Sequence, residues 1–373
     1  MKKTLIITLD FLPNIGGIAT YIDQFATHLD PEKTIVLTPD AKGKEIERAY
    51  TLKRKVLLSR YIWPKWFRLF FMVKKIIKEE QIEQIHVHHV LPVGYVAWLI
   101  KKIYKIPYLV FFHGTDVANA SAHKRKKKYA RKILLQSKRI IVNSESLKHK
   151  VEKAWPETKK KISLVYPCPD VSFLAPVDDL VIEQLKRELS LYGKKVIITI
   201  SRLVDGKGFP QLISAMAAAM KTRTDLVWII IGDGNKREEY MQCIKKEQIQ
   251  SSVRFLSAVP HDQLLPYMKL ADVFALLPSS DKEKEEGFGL VFLEAAAAGI
   301  PVLAGKSGGV REAVIHGRTG LTVHTNNHTE IVVGLLLLLE NTVYAKRLAK
   351  NAKLRVSSEF HTKKQIERIS KWL

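Results

Sequence analysis

Short apolar runs rich in β-branched residues alternate with longer amphipathic stretches along this 373-residue chain, and the alternation occurs twice. The first set is TLIITL (4–9), TIVLT (34–38), IHVHHV (85–90), YLVFF (108–112) and RIIVN (139–143). These runs are apolar at nearly every position, which suits strands buried on both faces of a parallel sheet. Helical patterns such as IATYIDQFATHL (18–29) separate several of them. A β-α-β-α order of this kind folds as a doubly wound sheet. After the proline-marked stretch YPCPDVSFLAPVDD (166–179) the pattern restarts with KVIITIS (195–201), LVWIIIG (226–232), VRFLS (253–257), VFALLP (273–278) and IPVLAG (300–305). The expected architecture is α/β, with two Rossmann-like doubly wound domains facing a central cleft. The first spans 1–175 and the second 185–356. The closing SSEFHTKKQIERISKWL (357–373) reads as a C-terminal helix with Ser357 or Ser358 as its cap.

The compartment follows from what the chain uses sparingly. Its two cysteines, Cys168 and Cys243, are far apart and have no metal-like spacing, so a reducing compartment is expected. The start, MKKTLIITLDFLP, resembles a signal peptide only superficially, because its apolar run is short and Asp10 interrupts it. VLPVGYVAWLI (90–100) is too short to span a bilayer and holds Pro92 and Gly94. A cytoplasmic protein, at most peripheral on a membrane, is expected.

The formal charge is +24 and is unevenly spread. Residues 51–139 hold 21 basic and 4 acidic side chains. Such a field attracts polyanions: nucleic acid, an anionic membrane or phosphorylated substrates. A generally basic proteome is the alternative explanation.

The residues that carry chemistry fall where apolar runs end, which is where a doubly wound sheet offers its ligand site. Asn14-Ile15-Gly16-Gly17-Ile18 follows the first run and opens a helix, so its free N–H groups suit a phosphate; a tight turn would use the same glycines. It is not the G-x-G-x-x-G of a dinucleotide fold, although Asp40 sits where a ribose-binding acid belongs in one. His113-Gly114-Thr115-Asp116 closes the fourth run, and His113 is a candidate donor to a substrate hydroxyl or phosphate. His86 and His88 share a strand face that His89 does not, which argues against a three-ligand metal site. SRLVDGKGF (201–209) supplies Arg202 and Lys207 from one loop, a fork and a mobile point charge suited to a diphosphate. In EEGFGLVFLEAAAAGIPVLA (285–304), Glu286 precedes a Gly287-Phe288-Gly289 turn. A helix is expected from Leu290 to Ala298, closed by Gly299, with Glu294 one turn in. A carboxylate before a helix mouth can grip sugar hydroxyls while the second holds a ribose diol.

Glu286 and Glu294 resemble the E-x7-E motif of the retaining glycosyltransferases of family 4, which have the GT-B fold. SRLVDGKGF, GGIATY, GDGN (232–235) and SGGVREAVIHGRTGLTV (307–323) resemble further motifs of that family, in its order. Within the family the chain is most similar to phosphatidylinositol mannosyltransferases and their lipid-acceptor relatives. The resemblance implies a nucleoside-diphosphate sugar donor, GDP- or UDP-linked, with no essential metal or other cofactor. It implies that Arg202 and Lys207 bind the diphosphate and Gly16 and Gly17 approach the phosphates. Glu286 would hold donor-sugar hydroxyls, with backbone contacts from Gly287, Phe288, Gly289 and Leu290. Glu294 would bind ribose, Ala258 and Val259 would line the base, and His113 would contact the transferred sugar. The departure is Pro167-Cys168-Pro169-Asp170, where the family reads Asn-Gly-Val/Ile-Asp and only Asp170 remains. The resemblance also implies that the C-terminal helix 357–373 belongs to the first domain.

The acceptor is sought in SRYIWPKWFRLFFMVKKIIKEEQ (59–81) and HKRKKKYARK (123–132). Aromatics interleaved with cations on a helix describe an interfacial element, and a basic helix packed on a sheet has the same composition. The candidate membrane contacts are Trp63, Trp66, Phe67, Lys74, Lys75, Lys126, Lys127 and Lys128. The expected function is transfer of a hexose to a lipid-linked or membrane-held glycan. The competing readings are an epimerase, phosphorylase or soluble-acceptor transferase of the same fold, a nucleic-acid-binding protein, and a nicotinamide oxidoreductase.

Overall fold

The computed structural model describes residues 1–12, 16–39, 50–58, 63–279 and 286–373. Asn14, Ile15, Asp40, the start of the aromatic stretch at 59–62 and Glu285 lie outside the described residues.

Two compact units are present: residues 1–167 with 362–373, and residues 168–361. The first holds strands β1 (Thr4–Ile7), β2 (Thr34–Pro39), β3 (Thr51–Lys55), β4 (Gln84–Val87), β5 (Tyr108–Phe112), β6 (Arg139–Val142) and β7 (Ile162–Leu164). Their spatial order is β3-β2-β1-β4-β5-β6-β7, all parallel. The second holds β8 (Lys195–Ile200), β9 (Leu226–Ile231), β10 (Val253–Leu256), β11 (Val273–Leu276), β12 (Val302–Gly305) and β13 (Leu321–Val323). Their order is β10-β9-β8-β11-β12-β13, again all parallel. Each sheet therefore reverses direction beside its first strand, between β1 and β4 and between β8 and β11. Loops leaving the two neighbouring strands diverge there and open a crevice at the strand ends.

Alternate strand residues feed opposite cores. Leu5, Ile7, Val110 and Phe112 join one cluster, whereas Ile6, Leu109 and Phe111 join the other. That is why these strands read as continuous apolar runs. The edge strand β3 was not expected, because TLKRK is mostly charged. The expected serine cap needs revision. Ser357 and Ser358 do not cap a new helix but finish the helix Thr342–Glu359. The following helix, Thr362–Glu367, is part of the first unit. There Ile369 is fully buried, and Gln365 Oε1 accepts from the Tyr166 backbone N–H at 3.1 Å.

In the second unit the loop after β8 is held against the end of β11. Gly208 adopts φ +74°, and a Cβ there would lie 1.7 Å from the Leu277 carbonyl oxygen. Ser279 N–H donates to the Gly206 carbonyl at 2.8 Å. Gly208→Ala is expected to destabilise this unit by at least about 3 kcal/mol, since backbone overlap and left-handed strain combine. Denaturant unfolding of wild type and variant checks it, and equal midpoints would show that the loop yields freely.

Candidate active site

In the first unit the switch point is built of histidines. His88 and His89 follow β4, and His113 ends the run that begins with β5. His88 Nδ1 and His113 Nε2 are 3.1 Å apart, and both rings are buried. His89 Nδ1 accepts from Leu9 N–H at 3.4 Å, which ties the ends of β1 and β4 together. His113 is fixed further by Asp116, whose Oδ2 accepts from its backbone N–H at 2.7 Å, and by Asn143, whose amide donates to its carbonyl at 3.3 Å. Tyr21, on the helix Gly17–Thr27, meets the His113 ring edge-on at 5.5 Å. Burial pushes His113 down to about 3, with the His89 charge acting in the same direction. Burial likewise takes His89 to about 4 and His86 to about 3. These imidazoles are therefore neutral hydrogen-bonding groups at physiological pH. Burial raises Asp116 to about 6, against the lowering effect of the His113 N–H. No cluster of three metal-ligating side chains occurs among the described residues. Gly16 caps the helix Gly17–Thr27, and a Cβ placed on it would meet nothing within 4 Å.

In the second unit Arg202, Lys207, Glu286 and Gly287 come together. Lys207 Nζ lies 2.5 Å from Glu286 Oε2, and both side chains are about one-fifth exposed. Burial alone would raise the Glu286 carboxyl. The Lys207 charge and hydrogen bond, the Arg202 charge and the Gly287 N–H instead hold it below the ordinary value. Its contribution to stability is thus present above the ordinary carboxylate pKa and lost as pH falls through the lowered one. Arg202 itself is exposed. The Glu286 backbone is bracketed by the loop after β12: its N–H donates to Ser307 Oγ at 3.2 Å, and its carbonyl accepts from Gly309 N–H at 3.2 Å. A Cβ on Gly309 would fall 2.2 Å from the Gly287 carbonyl oxygen, so the two loops touch backbone to backbone.

The helix Leu290–Ala298 begins at Gly289 and ends at Gly299, both in the left-handed region. It is buried nearly all round, including Glu294 at 4% exposure. Phe288 is also buried, tilted against Phe360 at 5.9 Å, so only its backbone is available to a ligand. Glu294 Oε1 sits 2.7 Å from His261 Nε2. Sequence reasoning passed over His261. Its one signal was its place two residues after Val259, in the loop leaving β10. Ala258 and Val259 are half-buried in that loop.

Of the candidate membrane contacts, Trp63 is 89% exposed, Phe67 is 44% exposed, and Lys126, Lys127 and Lys128 are exposed along the helix Lys124–Gln136. Lys75 is exposed and pairs loosely with Glu79, and Lys74 is half-buried. Phe71 is likewise exposed, at 51%. Trp66 is not: it packs against the core and stacks on Tyr95 at 5.6 Å, because the apolar side of the helix Phe67–Glu80 must cover the sheet. Ile76 and Ile77 are buried on that side as well. No helix among the described residues is long and apolar enough to cross a membrane.

Two family models match in chain order: Glycosyltransferase Family 4 over residues 15–173, and Glycosyl transferases group 1 over residues 181–355. The chain is 26% identical to the GDP-mannose-dependent monoacylated alpha-(1-6)-phosphatidylinositol monomannoside mannosyltransferase of Corynebacterium glutamicum, over 99% of this chain and 97% of the relative. It is also 26% identical to the N-acetyl-alpha-D-glucosaminyl L-malate synthase of Bacillus anthracis, over 78% and 74% of the two chains. Among solved structures, Anabaena Alr3699/HepE in complex with UDP and glucose matches with a TM-score of 0.83 at 20% identity, covering 100% of both chains. That likeness shows the GT-B fold. With both family models matched in order and the E-x7-E carboxylates held at a glycine turn, the chain belongs to glycosyltransferase family 4 and is a glycosyltransferase that uses a nucleotide sugar.

Proposed function

We propose that the chain moves a hexose, with retention, from a nucleoside-diphosphate sugar to a lipid-linked or membrane-associated glycan, working in the cytoplasm on the inner face of the cell membrane. The observation that carries the donor half is the Lys207–Glu286 pair at the mouth of a buried helix, with Arg202 beside it. An incoming diphosphate competes for Lys207 and frees the Glu286 oxygens to accept from sugar hydroxyls. Arg202, Lys207 and the backbone N–H groups of Gly287 to Leu290 then stabilise the charge that grows on the leaving diphosphate, the largest contribution expected in such a transfer. Gly16 and Gly17 approach the phosphates, Ala258 and Val259 flank the base, and neutral His113 contacts the transferred sugar. The bond from the anomeric carbon to the diphosphate oxygen breaks, an acceptor hydroxyl takes its place, and the hydroxyl proton leaves with the diphosphate. The transition state is oxocarbenium-like.

The lipid half rests on the exposure of Trp63, Phe67, Phe71 and Lys75, together with that of the lysines of the helix Lys124–Gln136. Apolar rings with cations suit an anionic interface, each cation near the surface adding about 1 kcal/mol. The mannosyltransferase relative named for a phosphatidylinositol mannoside supports this reading, and the malate synthase relative represents the competing one, a small soluble acceptor.

Thermal shift against GDP, UDP and ADP checks the donor site. One of them is expected to raise the melting temperature, by the equivalent of about 2.7 kcal/mol at a hundred times its Kd. Arg202→Ala should lose most of that shift. Glu286→Gln should keep it while lowering transfer about a hundredfold or more. A variant that turns over normally would remove Glu286 from the mechanism. Cosedimentation with anionic vesicles checks the surface. Binding is expected at low salt, weakened by Trp63→Ala and by charge reversal of Lys126, Lys127 and Lys128. A protein that stays in the supernatant at low salt points to the soluble acceptor.

A further inference from the structure

We propose that His261 is a positioning residue for nucleotide recognition, fixing the Glu294 carboxylate so that its second oxygen accepts from the ribose hydroxyls and the site prefers ribonucleotides. This rests on the proposed donor site and on the ribose-binding role that the family resemblance implies for Glu294.

The helix Leu290–Ala298 offers Glu294 no polar face. A carboxylate buried in apolar surroundings needs a partner, or it loses its charge or its place. His261 is that partner, with Nε2 at 2.7 Å from Oε1. Oε2 has no hydrogen-bond partner among the described residues. One oxygen is thus held by protein, and the other is left to accept from a ligand. The imidazole is itself braced: Phe173, in the turn Val171–Leu174, meets it edge-on at 5.2 Å. His261 opens the short turn His261–Gln263 directly after the loop proposed to flank the base. Residues 258–261 therefore link the base side of the site to the ribose carboxylate within four positions.

The charges around the ring act on its proton. Burial lowers the His261 pKa, but the Glu294 hydrogen bond and charge, and the charges of Asp170 and Asp262, raise it above the ordinary value. The added stability of the charged pair is full below the ordinary histidine pKa and is lost as pH rises through the raised one. A neutral His261 carrying its proton on Nε2 still orients Glu294. Rising pH therefore removes a positive charge near an anionic ligand and leaves the orientation in place.

Calorimetric titration of the full chain with UDP, GDP and their 2′-deoxy forms, from about pH 6 to about pH 9, separates these effects. His261→Ala is expected to weaken ribonucleotide binding about tenfold and the deoxy forms much less, since a lost charge-assisted hydrogen bond is of that size. The ribo-over-deoxy ratio would then collapse. His261→Gln, which keeps a donor without a titrating charge, should restore the ratio and flatten the pH dependence. In NMR titrations of the free protein, Glu294→Gln should lower the His261 pKa. Equal losses for ribo and deoxy forms, or an unmoved His261 titration in Glu294→Gln, would overturn the inference alone. Failure of wild type to bind either ribonucleotide would overturn the donor reading and this inference with it.

Discussion

At Gly208 the chain passes so close to Leu277 that anything larger than hydrogen overlaps a carbonyl oxygen, and at Gly309 it does the same to Gly287. The site of the second unit hangs on these backbone-to-backbone approaches. The first presses the Arg202/Lys207 loop onto the end of β11. The second presses the loop after β12 onto the Glu286 turn. Neither ion pair nor hydrogen bond could bring these three loops to one crevice if side chains kept the backbones apart. Once the backbones meet, a short lysine–glutamate pair, a bracketing serine and a helix mouth follow with little further ordering cost.

The two units use their switch points differently. The first fills its crevice with uncharged imidazoles, kept neutral by burial and stacked against aromatic rings such as Phe111. The second gathers charged groups of both signs around a glycine turn. A neutral hydrogen-bonding surface suits hydroxyls, and a charged one suits a diphosphate. The same sheet topology thus carries a neutral surface in one unit and a charged one in the other, and the side chains at the strand ends decide which.

Most of the sheet was legible because buried parallel strands must be apolar at every position, and the helix 290–298 was legible because glycine marks both its ends. The edge strand β3 was hidden by its lysines and arginine, since an edge needs no buried run and is safer charged. Trp66 was misjudged because composition cannot say which side of an amphipathic helix an aromatic takes, and the sheet claimed that ring for packing. Glu294 was placed correctly along the helix but not in depth. The signal was available: a glutamate among leucine, phenylalanine and alanine has no wet face to turn to. Its partner, His261, lies 33 residues away in sequence and is joined to it only by the fold. The family motifs only imply roles, and the contacts between loops are visible in the fold alone.

Residues 362–373 belong to the first unit, with Ile369 buried in one of its cores and Tyr166 anchored to Gln365. That arrangement has a temporal side. During synthesis the N-terminal sheet emerges early, yet the core formed by Phe25, Phe111 and Ile141 lacks one wall until the far end of the chain is made. The whole second unit is translated in the interval. That core of the first unit is therefore covered by Ile369 only after the residues of the second unit have been made.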